Sequence, residues 1–216
     1  MSARTDPGGG CRATGIPTAT AEEQDTEEAR RRRREWREEV SRLDPEQLVF
    51  LDESGATTEM TRRYGRAPRG ERVGEAVPQG HWHTVTMLAA LTTRGLQAPM
   101  TIESSTDGDI FLAYLEQVLC PQLRPGQVVI LDNLAAHKVE GVQGLVEKTG
   151  ARLLYLPPYS PDFNPIEQAW SKIKQLLRSA KARTVETLES AIAAALAEIT
   201  VQNASAWFAD CGYGLQ

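Results

Sequence analysis

The chain has little cysteine: Cys11, Cys120 and Cys211 lie far apart and belong to no CxxC or Cys/His cluster. That scatter argues against a disulfide framework or a thiolate zinc site and fits a reducing cytoplasm. Long apolar runs are missing too; none approaches the roughly 20 residues that a bilayer-spanning helix needs. No basic-then-apolar stretch opens the sequence, so no secretory leader is expected. Excess positive charge is absent as well, the net charge being −5. The total therefore does not advertise a polyanionic partner, and the distribution has to be read instead.

That distribution is uneven. Arg62, Arg63, Arg66, Arg69 and Arg72 crowd one short segment against a single acid, Glu71. Lys172, Lys174, Arg178, Lys181 and Arg183 follow Glu167 with no acid until Glu186. Either set alone reads as a solvated face. Two sets flanking candidate catalytic carboxylates point toward a polyanionic substrate.

Residues 1–25, rich in Gly, Pro, Thr and Ala without periodicity, are expected to be a disordered tail. Residues 26–47 read as a charged lead-in helix, solvated nearly all round, with Trp36, Val40 and Leu43 as a thin apolar stripe. The domain proper is expected over 48–213. Leu48 to Leu51 is a continuous apolar run suited to a strand buried on both faces, ending at Asp52, Glu53 and Ser54. His81–Leu91 and Leu96–Ile102 read as two further strands around the turn Thr93-Arg94-Gly95. A helix follows from Asp107 to about Leu119, then an apolar strand, Val128 to Leu131, that ends at Asp132 and Asn133. A helix over about Val139–Lys148 leads to the strand at Leu153.

The stretch Arg152–Arg178 carries the strongest local signal. Pro157, Pro158, Pro161 and Pro165 stop the strand at Leu156, because each fixes φ and lacks an N–H. Asn164 is a good N-cap and Pro165 suits the first helical position, which puts Glu167 in the first turn of an amphipathic helix. Helices over Thr184–Ile199 and Ala204–Ala209 complete the chain. The order βββ–α–β–α–β–α implies an α/β fold with one mixed sheet covered by helices on both faces.

Asp52, Asp132 and Glu167 each follow a rigid element, as a metal site requires. Three clustered carboxylates repel one another when alone. Two Mg²⁺ ions would reverse that balance and leave the site able to hold a phosphodiester, since paired ions serve phosphoryl transfer and Mg²⁺ prefers oxygen ligands.

The motifs FLDES, ILDNLAAHK and LPPYSPDFNPIEQAWSKIK around these residues, with GHW at Gly80–Trp82, resemble those of DDE-type transposases. The likeness is to the mariner-like bacterial insertion-sequence branch, the DDE superfamily endonucleases. It covers roughly Arg31–Tyr213, and the 34 residues between Asp132 and Glu167 (133–166) match that branch's spacing. The resemblance implies a ribonuclease H-like mixed five-stranded sheet: three antiparallel strands, then parallel βα units. It implies Asp52, Asp132 and Glu167 as the metal-binding catalytic triad, with two Mg²⁺ ions that Mn²⁺ can replace. It also implies double-stranded DNA as the partner, with cleavage at transposon ends and strand transfer into a target without a covalent protein intermediate.

Around the triad, Asn133 and His137 are candidates to orient a metal-bound water or a phosphate, against a purely structural role. Arg62, Arg63, Arg66, Lys172, Lys174 and Arg178 are candidates for DNA phosphate contacts. Glu53 is expected to point away from Asp52 in a structural or solvated role. His81 and His83, sharing one strand face by alternation, are read as packing residues, because no further ligand lies near them.

Relatives of that family carry N-terminal helix-turn-helix units, for which the residues before Leu48 leave no room. A separate helix-turn-helix subunit, an upstream reading frame of a split gene, and a truncated copy are the alternatives, with a homodimer as a candidate assembly and bacterial cytoplasm as the compartment. The alternative reading is a catalytically idle or domesticated remnant that binds DNA or protein. A nuclease acting on RNA–DNA hybrids is a third. An aspartyl-phosphate phosphatase is set aside because position 54 is Ser.

Overall fold

In the computed structural model, residues 26–74, 78, 80–133, 137 and 139–214 are described; the tail expected over 1–25 lies outside them. The elements are α1 (Glu27–Val40), β1 (Leu48–Thr57), β2 (Thr84–Thr92), β3 (Gly95–Ile102), α2 (Gly108–Tyr114), β4 (Val128–Leu131), α3 (Val142–Lys148), β5 (Arg152–Tyr155), α4 (Pro165–Ala180), α5 (Val185–Ala197) and α6 (Val201–Asp210). The sheet order is β3-β2-β1-β4-β5, antiparallel across β3, β2 and β1 and parallel across β1, β4 and β5. This is the mixed five-stranded sheet expected from the sequence.

Alternation along the strands splits the interior into two layers. Leu48, Phe50, Val128 and Ile130 join Trp36, Ile166, Trp170, Ile173, Leu188 and Phe208 on the face covered by α1, α4, α5 and α6. Val49, Leu51, Val129 and Leu131 join Phe111, Tyr114, Val142 and Val146 under α2 and α3. The same alternation sends Asp52 to the α4 face and Glu53 to the α2 face.

Several boundaries depart from the sequence reading. β1 does not end at Asp52: it runs on to Thr57, paired with β2 from Phe50 to Thr57, whereas its parallel pairing with β4 covers only Leu48–Phe50. Its second half, burying alternate residues rather than every one, lacks the apolar run that marked the first. Beyond Phe50 the β4 side of β1 is no longer laddered. β2 begins at Thr84, so His81 and His83 lie in the exposed approach to it and not on a strand face. α3 begins at Val142, because Gly141 before it takes a left-handed φ of 104°. α2 runs on as a π-helical turn, Leu115–Leu119, and stops in a 3-10 turn holding Pro121.

α1 is integral to the domain. Trp36 and Val40 enter the α4-side core, and the indole N–H of Trp36 donates to the Tyr213 hydroxyl at 3.1 Å. That hydroxyl in turn donates to the Phe163 carbonyl at 2.7 Å.

Candidate active site

Parallel pairing fixes the first two carboxylates relative to each other. Phe50 is in register with Ile130, and carrying that register on by two residues sets Asp52 beside Asp132. Neighbouring strands lie roughly 4.8 Å apart. Both aspartates follow the last pair of the β1–β4 ladder.

Glu167 arrives from the other direction. Proline at the first position of α4 and the stripe Ile166, Ala169, Trp170, Ile173 and Leu177 seat that helix over the sheet face to which Asp52 points. Asn164 occupies the N-cap position, but its side chain makes no capping hydrogen bond, contrary to the role expected of it.

Burial and neighbouring charge act together on these groups. Asp52 is 2% exposed, and its Oδ1 has no hydrogen-bond partner among the described residues. Burial pushes its carboxyl well above the usual range, and the charges of Glu167 and Asp132 push it further. Glu167 is also raised, first by burial and then by Asp132, with Lys174 opposing. Burial lowers Lys174; Glu167 and Asp52 pull it back up, while Arg178 and Arg63 push it down. Lys174 and Arg178 lie seven and eleven residues after Glu167, on one stripe of α4. Arg63 reaches this stripe from the Arg-rich loop.

Among the described residues, no three His, Cys, Asp or Glu side chains are drawn into one tight coordination shell. What stands here is three carboxylates in electrostatic contact, one of them buried with an unused oxygen, and a single half-buried ammonium beside them. All-oxygen donors at a partly desolvated centre with three carboxylates fit hard divalent cations such as Mg²⁺ and Mn²⁺.

On the far side of β1, His137 is fully buried, and its Nδ1 lies 2.5 Å from Asp132 Oδ1. The Phe111 ring packs against the imidazole at 4.5 Å between centroids, and the Tyr155 hydroxyl donates to the His137 carbonyl at 2.9 Å. Glu53 completes this cluster. Its carboxyl is raised by burial against the pull of His137, and its Oε2 lacks a hydrogen-bond partner among the described residues, as does His137 Nε2. Alternation along β1 carried the signal that Glu53 faces away from Asp52; its meeting with His137 depends on the path of the loop after β4.

Other candidates lie apart. Lys172 donates 2.7 Å hydrogen bonds to the Glu198 carbonyl and to Asn203 Oδ1, tying α4 to the α5–α6 junction. Its ammonium is thus directed away from the carboxylates. Asn133 lines a shallow cleft with Trp36, Tyr155 and Pro157 between α1 and the end of β5. Arg62 and Arg66 are exposed on the loop after β1. Arg183 anchors the start of that loop by donating to the carbonyls of Thr58 and Met60, a contact no sequence pattern announced.

Comparison with known proteins bears on the fold and the family. No curated protein matches the chain in sequence. The Mos1 transposase paired-end complex with left transposon end superposes with a TM-score of 0.66 at 15% identity, over 96% of this chain and 68% of that one. The Mos1 strand transfer complex gives 0.66 at 15% identity, over 94% of this chain and 62% of that one. The Mos1 transposase catalytic domain with Raltegravir and Mg gives 0.61 at 13% identity, over 86% of this chain and 90% of that one. This chain thus spans about two thirds of the longer transposase chains and most of the catalytic domain, and it shares the ribonuclease H-like fold. The sequence profile of the DDE superfamily endonucleases matches residues 47–189, and the chain belongs to that family.

Proposed function

We propose that this chain is the catalytic domain of a transposase, hydrolysing phosphodiesters at transposon ends and transferring the freed 3′ end into target DNA. The observation that carries this reading is the Phe50–Ile130 register, which ends two residues before Asp52 and Asp132 on adjacent strands, with α4 packed over the same sheet face and carrying Glu167 in its first turn. Asp52, Asp132 and Glu167 would hold two Mg²⁺ ions, with Mn²⁺ able to replace them; Mos1 paired-end complexes with Mg and with Mn support that assignment. Bound divalent ions supply activation of the attacking oxygen and stabilisation of the leaving oxygen.

The chain's own residues do the rest. Lys174 and Arg178, joined by Arg63, place positive charge beside the carboxylates, where a DNA phosphate can be held without reference to its base. Burial of Asp52 keeps bulk water from one side of the centre. His137 fixes the orientation of the Asp132 carboxylate through Nδ1. Double-stranded DNA is the substrate; a helix-turn-helix module from a separate polypeptide would choose the ends, and a homodimer would pair them in a bacterial cytoplasm.

Supercoiled plasmid incubated with the purified chain tests the reading. Nicking that requires Mg²⁺ or Mn²⁺, stops with chelator and leaves 3′-hydroxyl ends is expected. Absence of metal binding by calorimetry together with intact plasmid would leave a catalytically idle DNA- or protein-binding domain. Preferential cutting of RNA–DNA hybrids would replace transposition with hybrid nuclease activity.

His137 gives an independent check. Groups that orient metal ligands typically contribute 10- to 100-fold in affinity or activity. His137→Gln should therefore lower metal-dependent nicking by about 10-fold or more while thermal unfolding stays cooperative. An unchanged nicking rate would restrict His137 to packing.

A further inference from the structure

We infer that α1 is a brace for Glu167, with Arg33 the positioning residue that holds the turn before α4; this rests on Glu167 being a metal ligand. The need for a brace follows from the helix start. The first four N–H groups of a helix have no intrahelical acceptor, and a first turn frays unless something caps it. Glu167 sits in that turn, and Asn164 supplies no side-chain cap.

α1 supplies order from outside. Arg33, with a side chain 17% exposed, donates from Nη1 to Ser160 Oγ at 2.8 Å and to Asp162 Oδ1 at 2.9 Å. Its Nη2 donates to Asp162 Oδ2 at 2.5 Å. Two parallel hydrogen bonds of this kind fix direction as well as distance. The same guanidinium lies 4.2 Å from the Phe163 ring centroid, and Arg37 lies 5.0 Å from it. Phe163 is also held through its carbonyl by Tyr213, which Trp36 of α1 engages in turn. The turn Ser160–Phe163 is thus gripped at a hydroxyl, a carboxylate, a ring and a carbonyl, three of them by Arg33.

The grip reaches Glu167 through a short, stiff connection. Pro161 and Pro165 each fix φ, and the Glu167 N–H donates to the Asn164 carbonyl at 3.1 Å. Burial of Pro165, Ile166, Ala169 and Trp170 seats α4 on the sheet, and the brace adds a fixed direction to the turn that leads into it. An Arg at this position suits the task better than a Lys, since only a planar fork can hold both carboxylate oxygens.

Mn²⁺ titration by calorimetry, paired with thermal unfolding of the same samples, tests the brace. The variants are Arg33→Ala, Asp162→Asn, their double mutant, Arg33→Lys, and Leu188→Ala as a core control on α5, outside the turn. Arg33→Ala and Asp162→Asn are each expected to weaken Mn²⁺ binding by about tenfold or more. The double mutant should be no worse than Arg33→Ala alone, because Arg33→Ala already removes the link that Asp162→Asn weakens. Arg33→Lys should fall between wild type and Arg33→Ala. Leu188→Ala should lower the unfolding midpoint and leave Mn²⁺ affinity unchanged. Wild-type affinity in Arg33→Ala and Asp162→Asn would overturn the brace, as would an equal loss of affinity in Leu188→Ala. Should Arg33→Ala fail to fold, Asp162→Asn decides alone, since that side chain is 53% exposed and keeps an acceptor. A wild-type chain that binds no Mn²⁺ would overturn the metal-site reading itself, a different result from metal binding that ignores Arg33.

Discussion

Asp132→Ala is expected to cut metal-dependent nicking by about 10³-fold or more, because a lost metal ligand removes several kcal/mol of transition-state stabilisation and each 1.36 kcal/mol is tenfold. The fold should survive. Asp132 lies past the last ladder pair of β4, so no strand pairing depends on it, and its removal relieves the charge it imposes on Asp52 and Glu167. One cost offsets that relief. His137 Nδ1 loses its 2.5 Å partner inside a fully buried environment. Leaving a buried polar group without a partner costs roughly 1–3 kcal/mol. Asp132→Asn separates the two effects, since its side-chain oxygen can still meet His137 while the negative charge is gone. Both variants should be equally inactive on supercoiled plasmid, with Asp132→Asn the more heat-stable of the two. Either variant retaining activity within about tenfold of wild type would remove Asp132 from the catalytic set, since that leaves only ~1.4 kcal/mol for it to supply.

How much of this could be read in the sequence depends on the range of each interaction. The apolar runs Leu48–Leu51 and Val128–Leu131 named the central strands because strands covered on both faces must be apolar at every position. The proline-bounded turn and Glu167 were equally local. The length of β1 was not: beyond Leu51 its neighbours are β2 on one side and an open site on the other, so the pattern changes from continuous to alternating. The separation of Lys172 from Lys174 was legible in principle. Five residues after Glu167 is about 140° around a helix, and seven is within about 20° of a full return. Charge counting treated the two lysines as one patch; helical phase divides them. The Arg33–Asp162 pair spans 129 residues and carries no periodic signal at either end. α1 was accordingly read as a solvated lead-in, although Trp36 on its stripe already implied a docking face.

Asp52→Asn should invert the usual sign of an active-site mutation, abolishing cleavage while stabilising the metal-free protein. Asp52 is the most deeply buried of the three carboxylates, with two others acting on it and one oxygen unpartnered among the described residues. An amide of the same shape removes the charge and leaves the packing almost unchanged. The linkage sets the pH window. Below the ordinary carboxylate range Asp52 is protonated in folded and unfolded chains alike, and wild type pays no penalty. As pH rises the unfolded chain releases its proton first, so wild-type stability falls until the raised folded value is passed and then levels off. The amide variant lacks this contribution. Its advantage should therefore be small near pH 4 and clear at neutral pH, amounting to about 1 kcal/mol or more, or roughly 2–4 °C in midpoint for a domain of this size. Mn²⁺ should reverse the order. At 100 times its dissociation constant a bound ion adds about 2.7 kcal/mol to wild type, and the variant, short of a ligand, gains less. Thermal melts at two pH values, with chelator and with Mn²⁺, make the comparison. A variant less stable than wild type in chelator at neutral pH would mean that Asp52 is compensated by a partner other than metal. An equal Mn²⁺ gain in both proteins would place the ion elsewhere.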